Sequence, residues 1–441
     1  MKTRTKLIAL AVAAAAGALA LAGATRWSDS HAGAQPQAAS VNAATIARGA
    51  YLARLGDCAA CHSVEGKPAF AGGLRMDTPI GAIYTSNITP DRRYGIGNYT
   101  LADFDRALRY GVANGHTLYP AMPYSAYSRT TPQDVAALYA YFMMDVQPAA
   151  VPKVDNAIPF PLSMRWPLTI WRWAFAPSPI PASAPAPAPF AAAGDDAVLR
   201  RGAYIVEGLG HCGDCHTPRN AGLQVRAFAP ADGPAFLSGA LVDGWYAPSL
   251  RNGDRSTIGA WSEADIAQFL RTGTNRHGIA FASMNEVIAN STQFLSVDDA
   301  TAVARYLKSI KDTGTGAGAY AYNPATSQAL RSGDVSGRGA MLYLDNCAAC
   351  HRPDGKGYEG VFPALAGNPV LATRETHSLA RIVLDGMQTA RTASTPAQFS
   401  MPGFAARLSD QDVSDILTFV RSSWGNQAAA VEAKDVKALR H

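Results

Sequence analysis

The sequence predicts an all-α protein in which one helical unit is repeated three times along 441 residues. All six cysteines fall in three copies of one pattern, Cys-x-x-Cys-His, and the copies begin at residues 58, 212 and 347. Apolar residues on either side of each copy recur at the i, i+3, i+4 spacing of one helix face. No run of alternating β-branched residues is long enough to predict a large sheet. The repeat therefore defines the units of the fold.

Residues 1–34 have the composition of a secretory signal peptide. Basic side chains precede an Ala- and Leu-rich run over residues 7–22, and small-residue triplets at 32–34 and, earlier, at 22–24 offer cleavage sites. The alternative is an uncleaved membrane anchor, but the run is short and mostly alanine, which makes it a poor spanning helix. No later stretch is long and apolar enough to span a bilayer, so we expect a secreted, periplasmic chain.

The charge of the chain argues against a nucleic-acid partner. The formal net charge is +5, and residues 1–34 contain four Lys and Arg side chains but one Asp. The remaining chain is therefore closer to neutral. It also has no basic run interleaved with aromatic residues, so we expect no binding to nucleic acid.

The repeated motif is the attachment signal of c-type haem. Two thiols on one helical turn can bond to the two vinyl groups of one porphyrin, and the adjacent histidine then presents its ring to the iron as the proximal ligand. We therefore predict three covalently attached haem c groups with their iron. The predicted ligands are Cys58, Cys61 and His62 in the first copy, Cys212, Cys215 and His216 in the second, and Cys347, Cys350 and His351 in the third.

Three other uses of cysteine fit the pattern less well. A zinc ribbon would need a second Cys-x-x-Cys close to each motif, whereas the copies here are far apart in the chain. A thioredoxin-like redox pair would need one motif in an α/β setting and no constant histidine. A disulfide framework would show cysteines at varied spacings.

Each copy also contains the same order of three predicted helices. The first helix carries Arg-Gly-Ala and runs into the haem motif. The second ends at a glycine, the expected C-terminal stop, and the third begins with a Ser or Thr cap. The glycines are Gly111, Gly273 and Gly386, and the caps are Thr131, Ser296 and Ser409.

These repeats predict three tandem cytochrome c-like domains joined by Ala/Pro- and Gly-rich linkers. Residues 176–194 are rich in Ala and Pro, and residues 312–328 are rich in Gly, Ala and Thr. The C-terminal residues 426–441 are expected to form a mobile tail. The predicted domains cover residues 45–150, 195–312 and 330–425.

One methionine follows the middle helix of each copy and is the predicted sixth ligand of the iron. A thioether at this place suits a His/Met haem, which has a raised reduction potential. The three candidates are Met122, Met284 and Met401. A lone methionine is more often core filler, but three at matched places favour ligation. The alternative is bis-histidine ligation, because His116 and His277 lie shortly before the first two methionines, whereas the third copy has no histidine there.

Longer segments, dispersed between residues 45 and 425, are more specific than the haem motifs. They are residues 51–54, 56–58, 78–81, 86–90, 118–124, 164–167, 208–212, 243–246, 362–367 and 421–425. In these segments the chain resembles the three-haem cytochrome c subunit of membrane-bound periplasmic dehydrogenases, the alcohol dehydrogenase and gluconate 2-dehydrogenase type.

The resemblance implies an electron-transfer subunit that is not itself an enzyme. Such subunits accept electrons from a catalytic dehydrogenase subunit, a flavoprotein or a pyrroloquinoline quinone protein, which oxidises an alcohol, gluconate or a related polyol. They pass the electrons to membrane ubiquinone. The resemblance also assigns the cysteines and histidines of the three motifs as haem ligands, and it implies peripheral attachment to the outer face of the cytoplasmic membrane.

Residues 158–175 have two interpretations. They contain three Trp and two Arg, a combination that suits the interface of a bilayer. The same side chains suit packing between the first two domains or against a partner subunit, and the sequence leaves both interpretations open.

A second function class is a multihaem enzyme such as a cytochrome c peroxidase, in which one iron keeps an open site for substrate. The matched methionines favour electron transfer, because a filled sixth position excludes substrate. The chain also lacks a G-x-G-x-x-G sequence placed between a strand and a helix, so we expect substrate oxidation to take place on another chain.

Overall fold

The computed structural model describes most of the chain. The described residues are 16–29, 41–181, 194–253, 258–312 and 320–440. Most of the predicted Ala/Pro-rich linker and part of the predicted Gly-rich linker lie outside the described residues.

The chain divides into two compact units, residues 1–188 and residues 189–441. The first unit contains one copy of the haem motif, and the second unit contains two. Both units are mostly helical, as the sequence predicts. The strands described in them are short and form two-stranded antiparallel pairs.

The helices follow the predicted order in each copy. In the first unit they are α1 (16–29), α2 (Ala43–Leu55), α3 (Cys58–His62), α4 (Leu101–Tyr110), α5 (Tyr124–Tyr127), α6 (Pro132–Met144) and α7 (Trp166–Phe175). In the second unit they are α8 (Ala197–Tyr204), α9 (Gly213–His216), α10 (Glu263–Thr272), α11 (Ser283–Asn290), α12 (Val297–Ser309), α13 (Ala325–Ser332), α14 (Arg338–Asn346), α15 (Ala348–His351), α16 (His377–Asp385), α17 (Asp410–Ser422) and α18 (Ala433–Lys437). A kinked π-type turn, Ile205–Leu209, follows α8, and its Gly208 has non-helical φ and ψ angles of −111° and −112°. Turns of 3₁₀ type lie at Pro230–Asp232, Thr292–Phe294 and Pro369–Ala372.

Five antiparallel strand pairs lie in the loops between these helices. They are β1 (Arg75–Thr78) with β2 (Gly81–Tyr84), β3 (Val112–Ala113) with β4 (His116–Thr117), β5 (Ala240–Val242) with β6 (Trp245–Ala247), β7 (Thr274–Asn275) with β8 (Gly278–Ile279), and β9 (Met387–Gln388) with β10 (Ser400–Met401). In every copy one pair directly follows the glycine that ends the middle helix. The candidate methionine lies five residues after this pair in the first two copies and in its second strand in the third copy.

The first and third helices of each copy cross at the glycine of Arg-Gly-Ala. An added Cβ at this glycine would overlap a backbone carbonyl of the third helix, so only glycine allows the two backbones this close approach. The pairs of glycine and facing carbonyl are Gly49 with Ala137, Gly202 with Ala302, and Gly339 with Asp415.

An ion pair beside the glycine repeats in the same way. The arginine of Arg-Gly-Ala bonds to the aspartate in the first turn of the third helix, and that carboxylate is mostly buried. Removing one partner would therefore leave a charged group poorly solvated. The Nε to Oδ1 distances are 2.6 Å for Arg48 and Asp134, 2.7 Å for Arg201 and Asp299, and 3.1 Å for Arg338 and Asp412.

The predicted helix ends are confirmed. The middle helices end at Gly111, Gly273 and Gly386, whose φ angles are +63°, +77° and +75°. In the third helices, the side chains of Thr131, Ser296 and Ser409 accept a hydrogen bond from the backbone N–H of the residue three positions later.

The prediction of a mobile C-terminal tail is wrong. Val431 and Val436 are buried in the core that α14, α16 and α17 form, and Val436 lies in the short helix α18. The Arg440 side chain donates a hydrogen bond of 2.7 Å to Asp410 at the start of α17. Burial of these apolar side chains stabilises the segment against the core. The Ala-rich composition of the segment gave no sign of this burial.

Candidate functional site

Each haem motif lies on a short helical turn at the end of the first helix of its copy. In the first copy α3 spans the whole motif, and in the other two the helical turn begins directly after the first cysteine. The N–H of His216 donates to the carbonyl of Cys212 at 3.0 Å, and the N–H of His351 donates to Cys347 at 2.9 Å. Cysteines three positions apart on such a turn share one face, as two bonds to one porphyrin require.

The histidine of each motif is oriented by a hydrogen bond to a backbone carbonyl. In all three rings Nδ1 is the bonded nitrogen, so it carries the proton and Nε2 keeps a lone pair for a metal. Burial also lowers the pKa of each of these histidines, which favours the neutral, ligating ring. The bonds join His62 and Ser86 at 2.7 Å, His216 and Pro248 at 2.7 Å, and His351 and Pro363 at 2.9 Å.

None of the six cysteines forms a disulfide, and all six are half-buried. Burial, with a nearby negative charge from Asp57, raises the pKa of Cys58 to about 12 and that of Cys61 to about 11. Burial likewise raises the pKa of Cys212 to about 12 and that of Cys347 to about 11. These thiols are therefore protonated at neutral pH. Within the described ranges, no group of three or more His, Cys, Asp or Glu side chains could hold a bare metal ion.

The third copy contains a cavity of about 670 Å³, measured with its open mouth, beside the motif. Its lining is mostly apolar and includes Phe362 and Phe399. The cavity also brings together both cysteines of the motif, His351 and the candidate ligand Met401.

A second methionine lines the same cavity and was not identified from the sequence. Met387 in β9 is paired with Met401 in β10 across the strand ladder. Its position directly after Gly386 is the signal that could have found it. The third copy therefore contains two methionines within reach of one site.

In the second copy Met284 lies in the first turn of α11 and packs against Ala280, Ile288 and Ala390. The alternative ligand, His277, lies in the turn between β7 and β8. Its ring stacks on Trp261, with ring centroids 5.6 Å apart and an interplanar angle of 13°.

His277 is also engaged by a carboxylate. Its Nε2 lies 3.3 Å from an oxygen of Asp265. Burial would raise the pKa of Asp265, but hydrogen bonds from Ser262 and the charges of His277 and Arg276 lower it to about 2. An aromatic ring and an ionised carboxylate therefore already hold the imidazole, which favours Met284 as the ligand.

In the first copy Met122 is half-buried in the loop between β4 and α5. Its N–H donates to the carbonyl of Tyr119, and its own carbonyl accepts from the N–H of Tyr124. The alternative ligand His116 is exposed on β4. The loop is thus fixed at both sides of the methionine, while the histidine faces solvent.

The carbonyl groups that orient the histidines could not be predicted from the sequence. They lie at different distances along the chain after each motif, and a backbone carbonyl has no residue signature. Two of them, at Ser86 and Pro363, fall inside the segments that carry the family resemblance.

Comparison with known proteins identifies the family. Residues 336–424, which form most of the third copy, match the family model described as cytochrome c. The chain is 50% identical to the gluconate 2-dehydrogenase cytochrome c subunit of Pantoea cypripedii over 90% of both chains. It belongs to the family of dehydrogenase cytochrome c subunits.

Two further relatives are also cytochrome subunits of dehydrogenases. The cytochrome c subunit of quinone alcohol dehydrogenase from Gluconacetobacter polyoxogenes is 46% identical over 92% of this chain and 86% of its own. The fructose dehydrogenase cytochrome subunit of Gluconobacter japonicus is 38% identical over 92% and 85%. The chain is therefore a haem-binding, electron-transfer subunit of a dehydrogenase complex and not its catalytic subunit.

The residues of the site fit a covalent haem c. The cysteines would attach the porphyrin, the histidine Nε2 would bind the iron, and in the third copy the apolar lining would enclose the macrocycle. A bound haem supplies one-electron chemistry, and the chain's own part is to hold the histidine ring in one orientation and to exclude water.

Within the described residues, no helix is long and apolar enough to cross a membrane.

Proposed function

We propose that the protein carries three covalent haem c groups and passes electrons from a partner dehydrogenase subunit to ubiquinone in the membrane. The observation that carries this proposal is the threefold agreement of the proximal sites. Each motif lies on a helical turn, each histidine is held through Nδ1, and each Nε2 is left for the iron.

The proposal assigns one cytochrome c domain to each copy, at residues 45–150, 195–312 and 330–425. The cysteines and the histidine of each motif bind one haem. The sixth ligands of the three irons are Met122, Met284 and Met401. In the third copy this assignment is supported by the shared cavity, and in the second by the contacts that already hold His277.

The partner of the chain is a flavoprotein or quinoprotein dehydrogenase that oxidises gluconate, an alcohol or a related polyol. The names of the relatives support this range of substrates. The complex works on the periplasmic side of the cytoplasmic membrane, which the signal-peptide composition of residues 1–34 supports.

An exposed aromatic surface on the first unit supports contact with the bilayer. Trp166, Trp173 and Phe175 of α7 are exposed, and Phe160 before it is 81% exposed. Trp at a polar–apolar boundary is typical of the bilayer interface. Trp171, on the other side of α7, packs edge-on against Tyr124 and so fixes the helix to its unit.

The activity of the purified complex tests this assignment. The complex should oxidise its substrate and reduce a ubiquinone analogue, whereas the isolated cytochrome chain should oxidise no alcohol, gluconate or polyol. The matched control is the partner subunit alone, which should reduce an artificial dye but no quinone analogue. Dehydrogenase activity in the isolated cytochrome chain would contradict the proposal.

A peroxidase is the alternative, and the third copy argues against it. Two thioether side chains, those of Met401 and Met387, line its cavity. A peroxidase would require an open coordination position, and a nearby soft ligand would occupy it.

A further inference from the structure

The first unit contains a buried site that holds one carboxylate. The side chain of Asp29 is only 4% exposed and accepts hydrogen bonds from the backbone N–H of Thr117 at 3.0 Å and from its hydroxyl at 3.1 Å. The hydroxyl of Thr169 donates at 2.8 Å, and Nη2 of Arg172 donates at 2.9 Å. A backbone amide, two hydroxyls and a guanidinium group therefore converge on one carboxylate.

The donors of this site belong to elements that are far apart in the sequence. Thr117 lies in β4, while Thr169 and Arg172 lie one turn apart in α7. Both threonine residues are almost fully buried, at 0% and 1% exposure. The site is thus built into the unit between the strand pair and the helix.

The residue before Asp29 also contacts α7. The hydroxyl of Ser28 accepts a hydrogen bond from Nε1 of Trp173 at 3.0 Å and one from Arg172 at 3.3 Å. Two consecutive residues at the end of α1 therefore bind the same helix.

Within residues 16–29, the buried positions of α1 begin at Thr25 and recur at Asp29, while Arg26 and Trp27 between them are exposed. Residues 16–24 are exposed apart from a half-buried Ala22, and an added Cβ at Gly17 or Gly23 would meet no atom within 4 Å. Thr25, by contrast, is 1% exposed. This junction coincides with the small-residue triplet at 22–24, the earlier of the two predicted cleavage positions.

We propose that the Asp29 side chain occupies this site in the mature protein. Residues 25–29 are therefore not removed with the signal peptide, and they fasten α7 to the first unit. Removal of residues 1–34 would leave the Thr117 amide without its acceptor and Arg172 without its counter-ion. The hydroxyls of Thr117 and Thr169 lie 2.9 Å apart, so one could donate to the other, but the second would have lost its acceptor. Nε of Arg172 is already buried without a hydrogen-bond partner, which makes the loss of the pair at Nη2 more costly.

The hydrogen bonds between Asp29 and α7 also affect the exposed aromatic side chains of α7. α7 carries the exposed Trp166 and Trp173, so a fastened α7 presents them in a fixed orientation. This consequence rests on the proposed function, whereas the retention of Asp29 does not depend on haem, quinone or membrane.

The first test is the N-terminus of the mature protein. The complex is purified from membranes, and the N-terminal peptide of the cytochrome chain is identified by mass spectrometry. We expect a chain that begins at or before Thr25 and therefore contains Asp29. A mature chain that begins after residue 29 would overturn the proposal and would leave the haem assignment untouched.

The second test measures hydrogen exchange at the Thr117 amide in the complex. Asp29→Ala should accelerate this exchange by about tenfold or more, the factor that corresponds to a hydrogen bond to a charged group. Asp155→Ala, at an exposed aspartate of the same unit, is the matched control and should leave it unchanged. Unchanged exchange in Asp29→Ala would overturn the proposal, and an unchanged haem content in both variants shows that the unit is folded.

Discussion

At the scale of single residues, a backbone carbonyl holds the histidine ring of each haem motif in one orientation. Three identical Cys-x-x-Cys-His patterns specify the ligands because covalent attachment requires that spacing. The hydrogen bond that fixes each ring goes to a backbone carbonyl, such as Pro248 for His216, and no side chain marks it. Met387 was missed for a similar reason, because only the strand pairing brings it beside Met401.

The pair of methionines in the third copy gives a test of its sixth ligand. Met401→Ala should open one iron, which then binds carbon monoxide or water and becomes high-spin, because a soft thioether is lost. Met387→Ala is the matched control, since it removes a thioether from the same cavity. Absorption spectra with and without carbon monoxide distinguish them. The assignment of Met401 fails if the Met387 variant alone becomes reactive.

The second copy has a histidine and a methionine to compare. Met284→Ala should expose its iron to carbon monoxide, whereas His277→Ala should leave the spectrum and the potential of that haem unchanged. The physical reason is that Trp261 and Asp265 already hold the imidazole of His277. Met284→His should stay low-spin with a lower reduction potential, because histidine stabilises ferrous iron less than a thioether does. A carbon monoxide complex in the His277 variant would contradict the Met284 assignment.

At the scale of elements, the helices were predictable because caps and apolar spacing are local signals. The two-residue strands after Gly111, Gly273 and Gly386 were not, since two residues carry no period. Their loops explain the different position of the third methionine. Only residues 114–115 separate β3 from β4, whereas residues 389–399 separate β9 from β10.

The first helix of the second copy shows how an extra residue is accommodated. Arg201 and Cys212 are separated by one residue more than Arg48 and Cys58. The kinked segment Ile205–Leu209 accommodates this residue, because Gly208 leaves the helical conformation there. The spacing was visible in the sequence, but the turn that resolves it was not.

The helix crossing in the third copy can be tested with two neighbouring glycines. Gly339→Ala places a Cβ against the carbonyl of Asp415, so it should reduce the free energy of unfolding of this copy by about 1–3 kcal/mol. Gly337→Ala, two residues earlier, meets no atom within 4 Å and should have a clearly smaller effect. Hydrogen exchange at the backbone amides of α14 and α17, followed by mass spectrometry at increasing denaturant concentration, measures both. Equal stability of the two variants would show that the crossing does not require glycine.

At the scale of the whole molecule, the sequence predicted the repeat but not how its copies are grouped. The second unit holds two copies, and specific contacts join them. The N–H of Tyr246 donates to the hydroxyl of Ser378 at 2.7 Å, and the guanidinium of Arg381 lies 4.2 Å from the centroid of the Trp245 ring. Such contacts depend on side chains more than a hundred residues apart and leave no periodic signal.

The central claim is that all three motifs carry haem in one electron-transfer chain, and the number of covalent haems tests it most directly. A pyridine haemochrome assay on the purified chain, with the intact mass as an independent count, should give three haems per chain. The double variant Cys212→Ala and Cys215→Ala, which removes both thiols of the second motif, should carry two covalent haems. Fewer than three haems in the unaltered protein would contradict the account.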